Sequence, residues 1–92
     1  MSKIRNLEKQ SGIIRLLLFL HERGEYMLSK IWADGGISVH QGYKALEKCK
    51  ELELVKSRID NTSYPARNMI SLTPKGKKVA ELLKKIEEVL EG

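Results

Sequence analysis

The sequence is poor in the residues that cross-link chains, bind metals or span membranes. Its single cysteine, Cys49, cannot form an intramolecular disulfide, which excludes a disulfide-stabilised scaffold. Its two histidines, His21 and His40, stand nineteen residues apart, so no zinc-ligand cluster arises from their spacing. The longest apolar run, residues 13–20, is interrupted by Arg15 and is shorter than the roughly 20 residues that a bilayer requires. We therefore expect no metal, no cofactor, no membrane contact and a cytoplasmic location.

Aromatic residues are also scarce, at 5% of the chain, whereas hydrophobic residues make up 41% and charged residues 32%. This composition is typical of a folded protein and excludes disordered and low-complexity classes. The 92 residues are expected to form one small domain over residues 1–92. Because a domain of this size has a thin core, a partner subunit would help to cover its apolar residues.

The charge is basic and unevenly distributed. Seventeen Lys and Arg residues oppose twelve Asp and Glu residues, which gives a net charge of +5. Residues 1–78 carry a balance of +7, whereas residues 79–92 carry −2. The surplus in the first part of the chain favours a polyanionic partner.

Apolar periodicity predicts a first helix over residues 6–21, with apolar side chains on more than one face. One face would serve the core, and the other either contacts a second subunit or is covered within the same domain. Gly24 is expected to end this helix in a left-handed conformation. A very short strand at residues 26–28 and a short helix over residues 30–33, capped by Ser29, are predicted to follow.

A longer helix is predicted to begin after Ser38, because Gln41 three residues later completes a capping-box pattern, and to continue to about Leu52. Its inward stripe comprises Gly42, Ala45, Leu46, Cys49 and Leu52. Gly42 is expected to let the preceding helix approach closely. Cys49 is expected to be a small core residue, and since no motif suggests catalysis, we expect no enzyme.

Two strands and a final helix complete the pattern. Residues 54–60 and 68–72 are predicted to be strands joined by the hairpin loop 61–67. Thr73 as the capping residue and Pro74 at the first helical position predict a helix that continues to about residue 91. Its apolar stripe consists of Val79, Leu82, Leu83, Ile86, Val89 and Leu90. This stripe predicts a dimer interface, although packing against the chain's own core would use the same residues.

Three segments carry a resemblance to known proteins. Residues 28–38 (LSKIWADGGIS) resemble the first helix and turn of a helix-turn-helix unit. Residues 45–55 (ALEKCKELELV) are similar to the end of a winged-helix recognition helix and its first wing strand, and residues 71–76 (SLTPKG) to the strand-to-helix junction of MarR-like regulators. Together the segments resemble the winged helix-turn-helix family, in particular small MarR-like archaeal and bacterial transcriptional regulators.

The resemblance implies a mainly α fold with a small antiparallel β-wing. The helix-turn-helix would span about residues 29–52, the wing about 54–72 and the dimerisation helix about 74–91. Two residues depart from the family pattern. Glu53 replaces the usual glycine before the wing, so that turn is expected to be made differently, and Trp32 replaces a small residue. Because the long additional helices of MarR-like proteins are missing, no small-molecule effector is expected.

The functional expectation is a sequence-specific regulator of transcription that binds double-stranded DNA as a homodimer. The major groove of DNA admits one helix, whose first turns reach the bases. The residues expected to contact DNA are Lys30, Ser38, Val39, His40, Gln41, Tyr43, Lys44 and Lys48 in the helix-turn-helix, with Arg58, Tyr64 and Arg67 in the wing. The alternatives are an ordinary solvated surface and a winged-helix module that binds proteins within a multi-subunit assembly.

Overall fold

The computed structural model describes residues 11–62 and 64–91, which form four helices and a three-stranded antiparallel sheet. The order is α1 (Ser11–Arg23), β1 (Tyr26–Met27), α2 (Leu28–Gly35), α3 (Val39–Glu51), β2 (Val55–Asp60), β3 (Arg67–Leu72) and α4 (Pro74–Glu91). The predicted fold class, mainly helical with a small antiparallel wing, is confirmed. Residues 6–10 of the predicted first helix lie outside the described residues. No described helix is long and apolar enough to cross a membrane.

The sheet has β3 at its centre, in the order β1-β3-β2. Strands β2 and β3 form the wing, in a register that pairs Val55 with Leu72 at its base and Asp60 with Arg67 at its tip. On the other side of β3, the short strand β1 pairs Tyr26 with Ile70. The segment that leaves α1 is therefore joined to the wing by sheet pairing.

Helix α1 lies in the middle of the core and packs against both α3 and α4. Its buried side chains are Ile13, Leu16, Leu17 and Leu20, each no more than 1% exposed. The helix ends as predicted, because Gly24 takes a φ of +77° and its N–H donates to the Leu20 carbonyl at 2.8 Å.

Helix α2 begins differently from the sequence prediction. Ser29 does not cap it; the residue before the helix is Met27, whose side chain makes no capping hydrogen bond. The physical reason is that Met27 is extended and paired with Met69 in the sheet, so the chain passes directly from strand to helix. The helix has eight residues and ends at Gly35, and Gly36 caps it in a left-handed conformation with a φ of 66°.

The contact between α2 and α3 depends on Trp32, a large residue of α2, which lies opposite Gly42 of α3. Trp32 is 5% exposed, and its indole lies over Gly42. A Cβ atom on Gly42 would stand 2.6 Å from Trp32 Cε3, closer than real atoms approach. The predicted close approach at Gly42 is confirmed, and it explains how the fold accommodates a tryptophan at position 32.

The turn between α3 and β2 corrects a second expectation. The turn was expected to differ because it lacks a glycine. Instead, Glu53 itself takes the left-handed conformation that favours glycine, with a φ of 60°. Thr73, just before α4, ties the turn down: its Oγ1 donates to the Glu53 carbonyl at 2.7 Å, and its N–H donates to the Leu54 carbonyl at 3.0 Å. A Cβ on Gly76 would overlap that same Leu54 carbonyl. Two of the motifs quoted above are therefore in direct contact.

The apolar stripe predicted along α4 divides into two parts. Ala80 is fully buried, and Val79 and Leu83 are half-buried against the core. The remaining four side chains are exposed: Leu82 at 55%, Ile86 at 55%, Val89 at 78% and Leu90 at 82%. The chain's own core thus uses one side of the helix and leaves a second apolar side uncovered.

Candidate nucleic-acid interface

The first turns of α3 present an open surface. Ser38 caps the helix, since its Oγ accepts the Gln41 N–H at 3.3 Å and its carbonyl accepts the Gly42 N–H at 2.7 Å. Beyond the cap, Val39 is 57% exposed and Tyr43 is 52% exposed. The predicted contact residues His40, Gln41 and Lys44 are exposed as well. The cap fixes the start of the helix and leaves its outward side chains free to contact a partner.

A cleft between the helix-turn-helix and the wing brings together four residues that the sequence assigned to DNA contact. Lys30 of α2, Tyr43 of α3, and Tyr64 and Arg67 of the wing line this space of about 560 Å³. Tyr64 is completely exposed. Two cations can neutralise phosphates, and phenol rings can stack on bases or sugars. We call this space the wing cleft.

Asn68 is a cleft residue that the sequence did not single out. It lies on β3 beside Arg67 and lines the wing cleft. Its Oδ1 is buried and has no hydrogen-bond partner within the described ranges. An amide carbonyl oxygen of this kind accepts hydrogen bonds from amino groups. Asparagine is depleted in strands, and its presence in a predicted strand was the available signal.

Two cations proposed for DNA contact already have carboxylate partners. Lys48 is half-buried, and its Nζ lies 3.2 Å from Glu51 Oε2 on the same helix. Arg58 donates from Nε and Nη2 to the two carboxylate oxygens of Glu25, at 2.7 and 2.6 Å. These hydrogen bonds lower the pKa of Glu25 and raise the pKa of Arg58. Both side chains were predicted to contact DNA, and in the structure each already meets a carboxylate.

The tip of the wing carries an ordered carboxylate. Asp60 Oδ1 accepts hydrogen bonds from the Thr62 hydroxyl at 2.6 Å and from the Thr62 N–H at 3.0 Å. These two bonds lower the pKa of Asp60, and the nearby Arg58 and Arg67 lower it further. Because Asp60 is paired with Arg67 across the hairpin, the positive field at the tip is reduced.

The described residues offer little for catalysis or metal binding. Among them, no group of three or more His, Cys, Asp or Glu residues could hold a metal ion. Cys49 is buried, and burial raises the pKa of its thiol to about 12. The thiol is therefore protonated at neutral pH and a poor nucleophile.

No protein-family model and no curated protein matches the sequence. Solved structures do match. A double mutant of ZitR from Lactococcus lactis is 31% identical, with 85% of this chain and 52% of that chain covered and a TM-score of 0.73. A MarR-family transcriptional regulator from Silicibacter pomeroyi is 17% identical, with 88% and 56% covered and a TM-score of 0.71. BpsR from Bordetella bronchiseptica is 19% identical, with 87% and 60% covered and a TM-score of 0.74.

The chain therefore has the winged helix-turn-helix fold of MarR-like transcriptional regulators, and the resemblance seen in its motifs is confirmed. It spans about half the length of the ZitR chain. The fold does not test the assignment of individual contact residues, which stay predictions.

The expectation that no small molecule regulates the chain finds no support. DNA binding by BpsR is regulated by 6-hydroxynicotinic acid. In the present structure, a cavity of about 350 Å³ is lined by residues of α1, the end of α2 and α4, including Arg15, Phe19, Gly35 and Lys84. No pocket was expected from the sequence, yet the described residues line a space of ligand size.

Proposed function

We propose that this chain is a transcriptional regulator that binds double-stranded DNA in a sequence-specific manner as a homodimer. The wing cleft is the observation that carries the proposal, because it places Lys30, Tyr43, Tyr64 and Arg67 beside the open first turns of α3. The net charge of +5 favours association with a polyanion. The shared fold with transcriptional regulators agrees with this function.

The two parts of the surface have different tasks in this proposal. Helix α3 enters the major groove, where Gln41 can pair with adenine, Lys44 with guanine, and Val39 can contact a thymine methyl group. The cations of the wing cleft bind phosphate oxygens or enter the minor groove. These contacts fix the position of the protein on the duplex but do not read its sequence.

Dimerisation is proposed to use the exposed apolar side chains at the end of α4. Leu82, Ile86, Val89 and Leu90 each expose more than half of their surface. Contiguous apolar patches of this kind are unusual on monomers and mark interaction sites. A two-fold dimer would present two copies of α3, and we expect it to protect two half-sites about one helical turn of DNA apart.

The test is fluorescence anisotropy with a labelled duplex over a series of salt concentrations. Arg67→Ala should weaken binding to all sequences alike and flatten the plot of log affinity against log salt by about one unit. Gln41→Ala should cost about 1–3 kcal/mol on the preferred site and little elsewhere. Lys85→Ala is the matched control, because it removes one exposed cation from the outer side of α4.

The outcomes separate three functions. If the unmodified protein fails to bind duplex DNA at low salt, the regulator proposal is wrong and a protein-binding winged-helix module replaces it. If Gln41→Ala and Arg67→Ala lose affinity alike on every sequence, the protein coats DNA without reading it. A selective loss for Gln41→Ala together with a uniform loss for Arg67→Ala supports the proposal.

A further inference from the structure

Arg58 stands out among the cations of the wing because its guanidinium is bound edge-on by a carboxylate. Its Nε and Nη2 donate to Glu25 Oε2 and Oε1 at 2.7 and 2.6 Å. The two side chains remain partly open to solvent, at 56% for Arg58 and 32% for Glu25. This two-bond geometry is the one that guanidinium groups also use to bind phosphate.

The pair is held by the backbone on both sides. Glu25 precedes β1, whose Met27 is paired with Met69 of the central strand β3. On the other side of β3, the same Met69 is paired with Arg58 of β2. Since residues paired across a sheet share a face, Glu25 and Arg58 are fixed on one side of the sheet with a single strand between them. The carboxylate therefore meets Arg58 without any movement of the wing.

The two charges that flank Arg58 on its strand have opposite signs and offset each other. Lys56 and Asp60 lie two positions to either side of Arg58 on the same strand and face, and both act electrostatically on Glu25. Asp60 is engaged by Thr62 and is an anion beside Arg58. In the free protein, this side of the wing thus presents a neutral pair where the sequence has an arginine.

We propose that Glu25 holds Arg58 away from DNA phosphate, so that Glu25 is a positioning residue that lowers the affinity of the protein for duplex DNA. The inference rests on the proposed DNA-binding function and deepens it. Carboxylate and phosphate compete for the same guanidinium edge, and the carboxylate is always present at high local concentration. An exposed ion pair contributes little stability, so its removal frees the cation without endangering the fold.

The test is a salt series with a labelled duplex for Glu25→Gln, with Glu22→Gln as the matched control. Both variants remove one exposed negative charge near the end of α1, but only Glu25 contacts Arg58. Glu25→Gln should bind more tightly and steepen the plot of log affinity against log salt by about one unit, because one phosphate contact is gained. Its gain over the unmodified protein should be about threefold larger at roughly 50 mM than at roughly 200 mM salt.

Arg58→Ala shows whether the gain passes through the arginine. In the unmodified background it should change the salt slope by well under one unit, since Arg58 is already neutralised. In the Glu25→Gln background it should abolish the whole gain. Glu25→Asp retains the charge and should restore affinity toward that of the unmodified protein. Circular dichroism and urea unfolding check that every variant is folded.

The outcomes are distinguishable from a failure of the proposed function. If the unmodified protein does not bind duplex DNA, the function itself is wrong. If it binds, and Glu25→Gln gains no more than Glu22→Gln or binds more weakly, the inference is overturned. A gain for Glu25→Gln that persists when Arg58 is alanine also overturns it, because the effect would then be one of overall charge.

Discussion

The two halves of α4 show opposite relations to the rest of the molecule. In the first half, Gly76 lies against the backbone of the turn before the wing, as does Thr73 just ahead of the helix, and Ala80 is completely buried. In the second half, Ile86 is 55% exposed and Val89 is 78% exposed although both are apolar. One regular helix therefore passes from a region determined by close packing inside the chain to a region that no other described element covers.

The difference shows that the smallest side chains of this helix are the most deeply buried. The positions that fit most tightly are the small ones, Gly76 and Ala80, because only they allow the helix to approach the core. The larger side chains Leu82, Ile86 and Val89 lie to the side of that line. Steric contact thus fixes the first half, whereas the second half depends on association with another surface.

The largest expected effect would break the packed half. Gly76→Ala places a methyl group on the carbonyl of Leu54, which is backbone and cannot rotate away. We expect a loss of roughly 3 kcal/mol or more in the free energy of unfolding, which a small domain cannot sustain. Thermal unfolding followed by circular dichroism measures it. Gly35→Ala is the control, because its added methyl group meets Phe19 Cδ1 at an ordinary 3.4 Å; equal stability of both variants would contradict the packing argument.

The second prediction tests whether reagents in solution can reach the packed core at Cys49. Burial raises the pKa of the Cys49 thiol from its ordinary value of 9.0 to about 12, so the reactive thiolate is about 1,000-fold less populated near pH 8 than in an exposed cysteine. Iodoacetamide should therefore label Cys49 much more slowly in the native protein than in urea. Mass spectrometry follows the labelling, and comparable rates in both states would show that the core opens readily.

The third prediction concerns the open half. Ile86→Asp should weaken the dimer by about 2 kcal/mol, roughly thirtyfold in dissociation constant, because a charge enters the apolar surface of α4. The monomer should stay folded, since Ile86 is already 55% exposed within a single chain. Sedimentation velocity gives the association state, with Lys77→Asp as control, because Lys77 is exposed and lies on the side of the helix opposite Ile86. An unmodified protein that is monomeric at tens of micromolar would end the dimer proposal.

The smallest expected effect concerns Glu53 in the turn between α3 and β2, which the start of α4 contacts. Glu53 has a φ of 60°, a conformation that costs a residue with a side chain about 1–2 kcal/mol. Glu53→Gly removes this strain but adds freedom to the unfolded chain, so we expect a net stabilisation of up to about 1 kcal/mol. Urea unfolding measures it. Glu47→Gly, inside α3, should instead destabilise by about 1 kcal/mol, and a loss of stability in both variants would mean that the Glu53 side chain has a role of its own.

Much of the fold was predictable because local signals agree with one another. Ser38 and Pro74 mark the starts of two helices, and both signals are read within a few residues of sequence. The prediction for Ser29 failed because sheet pairing of Met27 determined where α2 begins, and that pairing joins segments far apart in the chain. The division of the α4 stripe was not predictable, since glycine and alanine carry little hydrophobic signal.

The candidate site was predictable only in part, for the same reason. The outward face of α3 follows from helical periodicity once the cap at Ser38 is recognised. The ion pair of Arg58 was not predicted, because its partner, Glu25, is thirty-three positions away and meets it only through the order of strands in the sheet. The sequence contains both charges but no local pattern that joins them.

The packing of Trp32 against α3 gives the protein an optical reporter of its own. Trp32 is the one tryptophan in the sequence, and its ring centroid lies 5.5 Å from that of Tyr43. Because the Tyr43 ring packs edge-on against the indole, a movement of Tyr43 changes the surroundings of Trp32, and indole emission depends on those surroundings. A ligand that displaces Tyr43 from this position will change the fluorescence spectrum, and occupancy of the α3 surface can be followed without a dye attached to either molecule.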